Sequence, residues 1–183
     1  MDLSGHKVVE SLGRKRYTLI VRGDFSRYAW VYLMRHKSDA AEMLEHFLAD
    51  ARADVVSSKV VIVRTDGGGE FRGWKFGDLR RSRGINQEFT TADNPQFNGV
   101  AERAQGLNET ATMAGRIQAR ELLPGAQLPA TESLWTEASH WVCDALNRTA
   151  TTANPGNESP YDMWYGKPSR LYSYLSSSLA TAR

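Results

Sequence analysis

Three short stretches of the chain are dense in β-branched and aromatic residues and are bounded by glycine, aspartate or serine. They are Tyr17–Val21 (YTLIV), Ala29–Met34 (AWVYLM) and Val60–Thr65 (VVIVRT). Runs of this length and composition are typical of β-strands. The pattern therefore predicts three strands in the first third of the chain.

Helical periodicity separates the second and third strands. Apolar residues recur there at i, i+4, i+7 and i+8, with Ser38 as a candidate N-cap, and these are Ala40, Leu44, Phe47 and Leu48. A helix over Lys75–Arg81 and a short strand over Gln87–Phe89 then lead into a polar turn, residues 90–98. This order predicts an α/β layer fold.

Two longer helices are predicted in the second half of the chain. The first begins at Val100, and one face, within about 80° on a helical wheel, carries Val100, Ala104, Leu107, Ala111 and Ala114. The opposite face carries Glu102, Gln105, Glu109 and Arg116. The second helix follows Pro124 and Pro129, is capped by Thr131, and is predicted to bury Leu134, Trp135, Ala138, Trp141, Val142, Ala145 and Leu146.

A short helix at Tyr161–Tyr165 precedes a serine-rich tail, residues 169–183, that we expect to be mobile.

Composition narrows the class of protein only slightly. Lys and Arg number 23 against 21 Asp and Glu, a formal charge of +2, which favours a polyanionic partner only weakly. The one cysteine, Cys143, excludes an internal disulfide framework and fits an intracellular protein. We predict neither secretion nor a membrane span, because no long apolar run is present.

Two carboxylates stand at positions suited to chemistry. Asp66 follows a predicted strand and precedes three glycines, Gly67 to Gly69, although an Asp-Gly pair at a strand end is also a common turn. Glu102 lies 35 residues further on, near the start of the first long helix and on its polar face. The strand end lets the Asp66 carboxylate project into a cleft, and Glu102 is expected to face away from the core.

The sequence around these carboxylates resembles the integrase catalytic core of copia-type LTR retrotransposons, in the retroviral integrase superfamily. The resemblance rests on Thr65–Phe71 (TDGGGEF) and Pro95–Arg103 (PQFNGVAER), with further similarity in Arg16–Tyr32 and Ser159–Pro168. It implies an RNase H-like α/β fold, with a central mixed five-stranded sheet flanked by helices. We expect this core to span residues 1–168 and to be N-terminally truncated, beginning inside the family's first strand.

The resemblance also implies a catalytic and metal-binding triad of Asp2, Asp66 and Glu102. Asp24 competes with Asp2 for the first place, but in the family its segment joins two strands. Carboxylate oxygens are the ligands that Mg²⁺ prefers, so we expect Mg²⁺ or Mn²⁺, as two ions, to support DNA end processing and strand transfer. Glu70 and Asp93 are interpreted as solvated surface carboxylates.

The implied partners are the element's DNA ends and target DNA, with no membrane and with a second copy of the chain in a homo-oligomer. Gln96, Asn98 and Arg103 are candidate DNA contacts, although an Asn-Gly turn explains Asn98 equally well. We expect action in the nucleus. The alternatives are a catalytically silent DNA-binding or dimerising module, and a nuclease of the same fold.

Other residue types receive structural interpretations. The four histidines lack metal-ligand spacing, and the five tryptophans, led by Trp135 and Trp141, are assigned to packing. One basic cluster is either a solvated face or a phosphate contact, and it comprises Arg72, Lys75, Arg80, Arg81 and Arg83.

Overall fold

The predicted strands and helices are present in the computed structural model, which describes residues 1–54, 59–90, 99–122 and 130–167. In chain order the elements are β1 (Asp2–Ser4), β2 (Tyr17–Arg22), β3 (Ala29–Met34), α1 (Ala40–Asp54), β4 (Ile62–Thr65), α2 (Gly69–Arg72), α3 (Trp74–Ser82), β5 (Asn86–Phe89), α4 (Gly99–Leu122), α5 (Trp135–Arg148) and α6 (Pro160–Tyr165). The α/β class is confirmed.

The strands form two sheets. β1, β2 and β3 pair antiparallel, with Asp2 opposite Ile20, and β4 and β5 pair parallel. The prediction of one five-stranded sheet is therefore wrong for the part of the chain that the structure describes. The physical reason lies at β1, which pairs with β2 over three residues and meets β4 where the Met1 ammonium donates a 2.6 Å hydrogen bond to the Arg64 carbonyl. A contact of this kind is not the succession of bonds that makes a ladder.

The three-stranded sheet is buried on both faces. Leu19 and Val21 on one face join a cluster that includes Leu44 and Phe47 of α1 and the fully buried Phe76 of α3. Ile20, on the other face, packs against Ala104 of α4 and Cys143 of α5. Alternation along β2 therefore sends successive side chains to two helical layers.

The buried face of α4 differs from the predicted one. The buried residues are Ala101, Ala104, Gln105, Asn108 and Thr112, whereas Leu107 is 49% exposed. Gln105 was assigned to the polar face, and that assignment is wrong. Asn108 is buried because it pairs across to α5: its amide donates to the Ser139 carbonyl at 3.0 Å, and the Ser139 hydroxyl donates to Asn108 at 2.7 Å. Gln105 donates to Glu109 on its own helix at 3.0 Å.

The core face of α5 also contains polar residues. Trp135, Val142 and Cys143 are buried, but Trp141 is 68% exposed, so its assignment to the core is wrong. Asn147 takes a buried position instead, since its side-chain amide accepts a hydrogen bond from the Ala29 amide at 2.9 Å and donates one to the Ala29 carbonyl at 2.8 Å. These bonds satisfy backbone groups of β3 that an apolar side chain would leave unpaired.

Two helix starts differ from prediction in detail. Asp39 accepts hydrogen bonds from the backbone amides of Arg35 and His36 before α1, so Ser38 is not the cap. A 3-10 turn at Thr131–Leu134 precedes α5, and Thr131 lies within it. Predictions that concern Pro124, Pro129, most of the turn over 90–98 and the tail over 169–183 lie outside the described residues. Among the described helices, none is long and apolar enough to cross a bilayer.

Candidate active site

Asp2 is the half-buried member of the predicted triad. It lies on β1 opposite Ile20, and burial raises the pKa of its carboxyl group. The Met1 ammonium lowers this pKa, whereas the negative charges of Asp66 and Glu102 raise it further. Asp66 and Glu102 therefore both lie close enough to Asp2 for their charges to act on its carboxyl group.

Asp66 is positioned by the end of β4 and by the turn that follows. The preceding Thr65 is fully buried, and its hydroxyl accepts a 3.0 Å hydrogen bond from Gln87 of β5. The Asp66 carboxylate accepts a hydrogen bond from the Gly68 amide at 3.1 Å. The side chain is thus held at a strand end, where the sequence predicted a projecting carboxylate.

Two carboxylates crowd Gly68. A methyl group at this position would lie 3.0 Å from an Asp66 carboxylate oxygen and 2.9 Å from the carboxyl carbon of Glu70. Glu70 therefore borders the same turn, its side chain is only 9% exposed, and its partner Lys37 lies 3.8 Å away. The interpretation of Glu70 as a solvated surface residue is wrong. Its place at the start of α2, four residues after Asp66, was the signal in the sequence.

Glu102 lies in the first turn of α4 and is exposed, as predicted from the helical wheel. The buried neighbours Ala101 and Ala104 fix the rotation of the helix, which directs Glu102 away from the core. Asp24, the competitor of Asp2, lies in the β2–β3 turn with its side chain 77% exposed and paired with Arg27 at 3.0 Å. Asp93 lies outside the described residues.

Most of the basic cluster that the sequence singled out makes local contacts. Arg72 donates to the Gly67 carbonyl at 3.0 Å, Arg80 donates to the Ile85 carbonyl at 3.2 Å, and Arg83 pairs with Glu45 at 2.9 Å. Arg81 pairs with Asp78. Sequence reasoning instead missed Arg22, which is close enough to Arg27 and to Arg103 for their charges to lower its pKa further after burial. The predicted DNA contacts Gln96 and Asn98 lie outside the described residues.

The chain is similar to curated proteins and to solved structures, of which the following are examples. The retrovirus-related Pol polyprotein from transposon TNT 1-94 of Nicotiana tabacum is 32% identical over 166 residues, which are 91% of this chain and 12% of the relative. The BIV integrase catalytic core domain matches with a TM-score of 0.61 at 16% identity, over 97% of this chain and 96% of that one. The HTLV-2 core domain in complex with magnesium matches with a TM-score of 0.58 at 18% identity, over 88% and 93%. These matches confirm the resemblance to copia-type integrase cores.

The chain is also similar to part of a larger integrase chain. A chain of the simian T-cell lymphotropic virus intasome matches with a TM-score of 0.66 at 16% identity, over 93% of this chain and 54% of that one. The RNase H-like integrase fold is thus confirmed, although the sheet is divided. No family model matches the chain. The chain spans 12% of the curated relative and about half of the intasome chain.

The donor chemistry of this integrase-like site suits a hard divalent cation, because its candidate ligands are carboxylate oxygens. Among the described residues, however, no group of three or more His, Cys, Asp or Glu side chains lies close enough together to hold an ion. Repulsion between neighbouring carboxylates opposes such convergence unless a cation compensates it. Binding of one cation by Asp2, Asp66 and Glu102 would therefore require their carboxylate oxygens to move closer together.

Proposed function

We propose that this chain is the catalytic part of a DNA integrase, a polynucleotidyl transferase, and that Asp2, Asp66 and Glu102 hold two Mg²⁺ or Mn²⁺ ions. The observation that supports the proposal is the position of Asp2 beside the end of β4, where the Met1 ammonium donates a 2.6 Å hydrogen bond to the Arg64 carbonyl and where the charges of Asp66 and Glu102 act on Asp2. The three carboxylates come from separate parts of the chain and repel one another beside a strand end. Such an arrangement is suited to binding a divalent cation. The HTLV-2 integrase catalytic core domain, which has a similar fold, is described in complex with magnesium, and this supports the choice of a divalent cation.

Other residues of the chain position the three carboxylates. The Gly68 amide orients Asp66, the β1–β2 pairing sets the height of Asp2 along the sheet, and the buried first turn of α4 directs Glu102. Bound cations would supply Lewis-acid activation of the attacking oxygen and would neutralise charge at the phosphate that reacts. Fixing three carboxylates on strands and a helix lowers the cost of assembling them during the reaction.

The reaction proceeds in two displacements at phosphorus. In end processing, a water oxygen attacks the phosphodiester, the bond between phosphorus and the 3′ oxygen breaks, and a 3′-hydroxyl is left on the element DNA. In strand transfer, this 3′-hydroxyl attacks a target phosphodiester and displaces the target's 3′ oxygen, which takes up a proton. Each step breaks one phosphorus–oxygen bond as it forms another, so no covalent protein intermediate is needed.

The assembly and the place of action follow from the proposed chemistry. The HTLV-2 core domain is described in trimeric and dimeric forms, and we propose a homo-oligomer for this chain as well. Joining two element ends to one target requires two such sites, which favours a symmetric assembly. Because the target is chromosomal DNA, the proposed place of action is the nucleus.

A strand-transfer assay tests the proposal. The chain is mixed with a duplex that has a recessed 3′-hydroxyl, a supercoiled plasmid, and Mg²⁺ or Mn²⁺. We expect joined products that require metal and that are lost in Asp66→Asn and Asp2→Asn, because each change removes a carboxylate. Asp24→Asn is the matched control, and we expect it to retain joining because Asp24 is exposed and paired with Arg27.

Two results would contradict the proposal. The first is joining that persists in Asp66→Asn, which would place the chemistry elsewhere. The second is the absence of joining by the unaltered chain with either metal. If that chain still bound DNA without metal and in a salt-sensitive way, it would be the catalytically silent binding module named as the alternative.

A further inference from the structure

A fourth carboxylate, that of Glu70, lies across the turn from Asp66. A methyl group on Gly68 would lie 3.0 Å from Oδ1 of Asp66 and 3.0 Å from Oε1 of Glu70. Because both oxygens are 3.0 Å from the same point, they are at most twice that distance, 6.0 Å, apart. The Glu70 carboxylate therefore borders the place where Asp66 would bind a cation.

Glu70 is almost entirely removed from solvent but has only a weak partner. Its side chain is 9% exposed, and the Lys37 ammonium lies 3.8 Å from Oε1, which is longer than a direct hydrogen bond. Among the residues that the structure describes, no hydrogen bond to the Glu70 carboxylate is present. A carboxylate taken out of water is stable when donors replace the lost waters. The Glu70 carboxylate thus has acceptor capacity that these residues do not use.

The turn holds Glu70 and Asp66 in a fixed relation. Phe71, which follows Glu70 on α2, is 1% exposed and packs against Phe76 with their ring centroids 5.3 Å apart. The Gly68 amide donates a 3.1 Å hydrogen bond to Oδ1 of Asp66. The buried ring and the backbone hydrogen bond belong to the same short segment, so neither carboxylate moves far from the other without disturbing the core.

The ion pair with Lys37 explains the burial of Glu70 only in part. The Lys37 side chain is 51% exposed, and ion pairs with water on one side contribute little free energy. The pair also leaves unexplained why Glu70 lies beside a second carboxylate, since two negative charges at this distance repel each other. A cation bound at Asp66 would turn this repulsion into attraction.

We propose that Glu70 is an outer carboxylate of the cation site, which accepts hydrogen bonds from the water shell of a Mg²⁺ or Mn²⁺ ion bound by Asp66. Mg²⁺ keeps several of its waters when a protein binds it, and those waters are donors that a carboxylate can orient. The inference rests on the proposed function, in which Asp66 binds the cation. Glu70 is therefore a positioning residue that acts on the reaction through the ion.

The test measures Mn²⁺ binding to the chain without DNA. The free ion is followed by electron paramagnetic resonance during a titration, and the melting temperature in EDTA shows whether each variant is folded. We expect Glu70→Gln to raise the Kd for Mn²⁺ by about tenfold or more, because glutamine keeps the size of the side chain and removes its charge. Asp66→Asn, which removes a proposed ligand, is expected to abolish binding at this site.

Lys37→Gln is the matched control, because it breaks the same ion pair and leaves the Glu70 carboxylate in place. It also removes a positive charge near the ion, so we expect the Kd for Mn²⁺ to fall by about twofold at low ionic strength. The two substitutions should therefore have opposite effects. A rise in Kd in both variants would make the ion pair the important feature and would overturn the inference. If Glu70→Gln did not fold in EDTA, the direction of the change in Lys37→Gln would decide alone, and a Kd that does not fall would overturn the inference.

The outcomes for Glu70 and for the proposed function are distinguishable. Binding that is lost in Asp66→Asn but has an unchanged Kd in Glu70→Gln refutes the role of Glu70 and leaves the proposed function intact, whether or not the melting temperature in EDTA falls. Binding that survives in Asp66→Asn refutes the proposed cation site, and the role of Glu70 falls with it. A raised Kd in Glu70→Gln, in a chain that joins no DNA, supports the role of Glu70 and refutes catalysis.

Discussion

Glu109 connects the strand that carries Asp2 to the helix that carries Glu102. One of its carboxylate oxygens accepts hydrogen bonds from Ser4 at 2.5 Å, from Lys7 at 2.5 Å and from Gln105 at 3.0 Å. Ser4 ends β1, and Lys7 follows it. We predict that Glu109→Gln destabilises the chain and loosens β1 against α4, because a neutral amide oxygen accepts these bonds without charge assistance.

The magnitude follows from the contacts and their exposure. A hydrogen bond to a charged group contributes about 1.5–3 kcal/mol when buried. The Glu109 side chain is 41% exposed and that of Lys7 is 29% exposed, so water compensates part of the loss. We therefore expect Glu109→Gln to lower the free energy of unfolding by about 1–2 kcal/mol at pH 7.

The pH dependence gives a second test of the same contact. Burial raises the pKa of Glu109, but the hydrogen bonds from Lys7, Ser4 and Gln105 outweigh this effect, and the pKa lies below its ordinary value of 4.5. A lowered carboxylate pKa contributes stability that is present above that ordinary value and is lost as the pH falls through the folded-state pKa. The difference between the unaltered chain and Glu109→Gln should therefore shrink below pH 4.5.

Urea unfolding monitored by circular dichroism at pH 7 and at acid pH measures both effects. The control is Glu121→Gln, an exposed glutamate on the same helix, for which we expect a change within about 0.5 kcal/mol. A cost of Glu109→Gln below about 0.5 kcal/mol at pH 7, or a cost that persists unchanged in acid, would refute the reasoning.

Two further substitutions test the site and the packing. Gly68→Ala is expected to lower strand transfer by about tenfold or more, because the new methyl group displaces the Asp66 carboxylate, whereas Gly69→Ala meets no atom within 4 Å and should retain activity; equal activity in both would contradict this. Asn147→Ala is expected to cost about 1–3 kcal/mol in urea unfolding, because the Ala29 amide loses its partner and the Ala29 carbonyl keeps only the Cys143 thiol as a donor. Gln118→Ala, at an exposed position of α4, is the control for Asn147→Ala. A similar cost in both variants would show that the hydrogen bonds of Asn147 contribute nothing to stability.

Local sequence patterns predicted the elements well and the helix faces less well. The β-branched runs gave β3 with its observed bounds and β2 to within one residue, because both strands are filled with apolar side chains that pack on two layers. On α4 and α5 the same reasoning failed, because Asn108 and Asn147 are buried through bonds to partners about 31 and 118 residues away. Hydrophobic periodicity carries no information on such distant pairs.

In the candidate site, too, residues within a local motif were predicted, and residues that depend on distant contacts were missed. Asp66 and Glu102 could be selected from their motifs, and the helical wheel gave the direction of Glu102. The burial of Glu70 depends on Lys37 and on the turn at Gly68. These relations exist only in the folded chain, which is why residues outside the motifs were missed.

Asp2 and Asp66 lie on different sheets, and the Met1 ammonium joins these sheets through the Arg64 carbonyl. A ligand that binds both carboxylates would therefore link the two sheets, whose strands are paired separately. Binding to the folded state alone raises the free energy of unfolding by RT ln(1 + [L]/Kd), about 2.7 kcal/mol when the ligand concentration is a hundredfold above Kd. The melting temperature of the chain would then report occupancy of the site directly, with no DNA and no turnover.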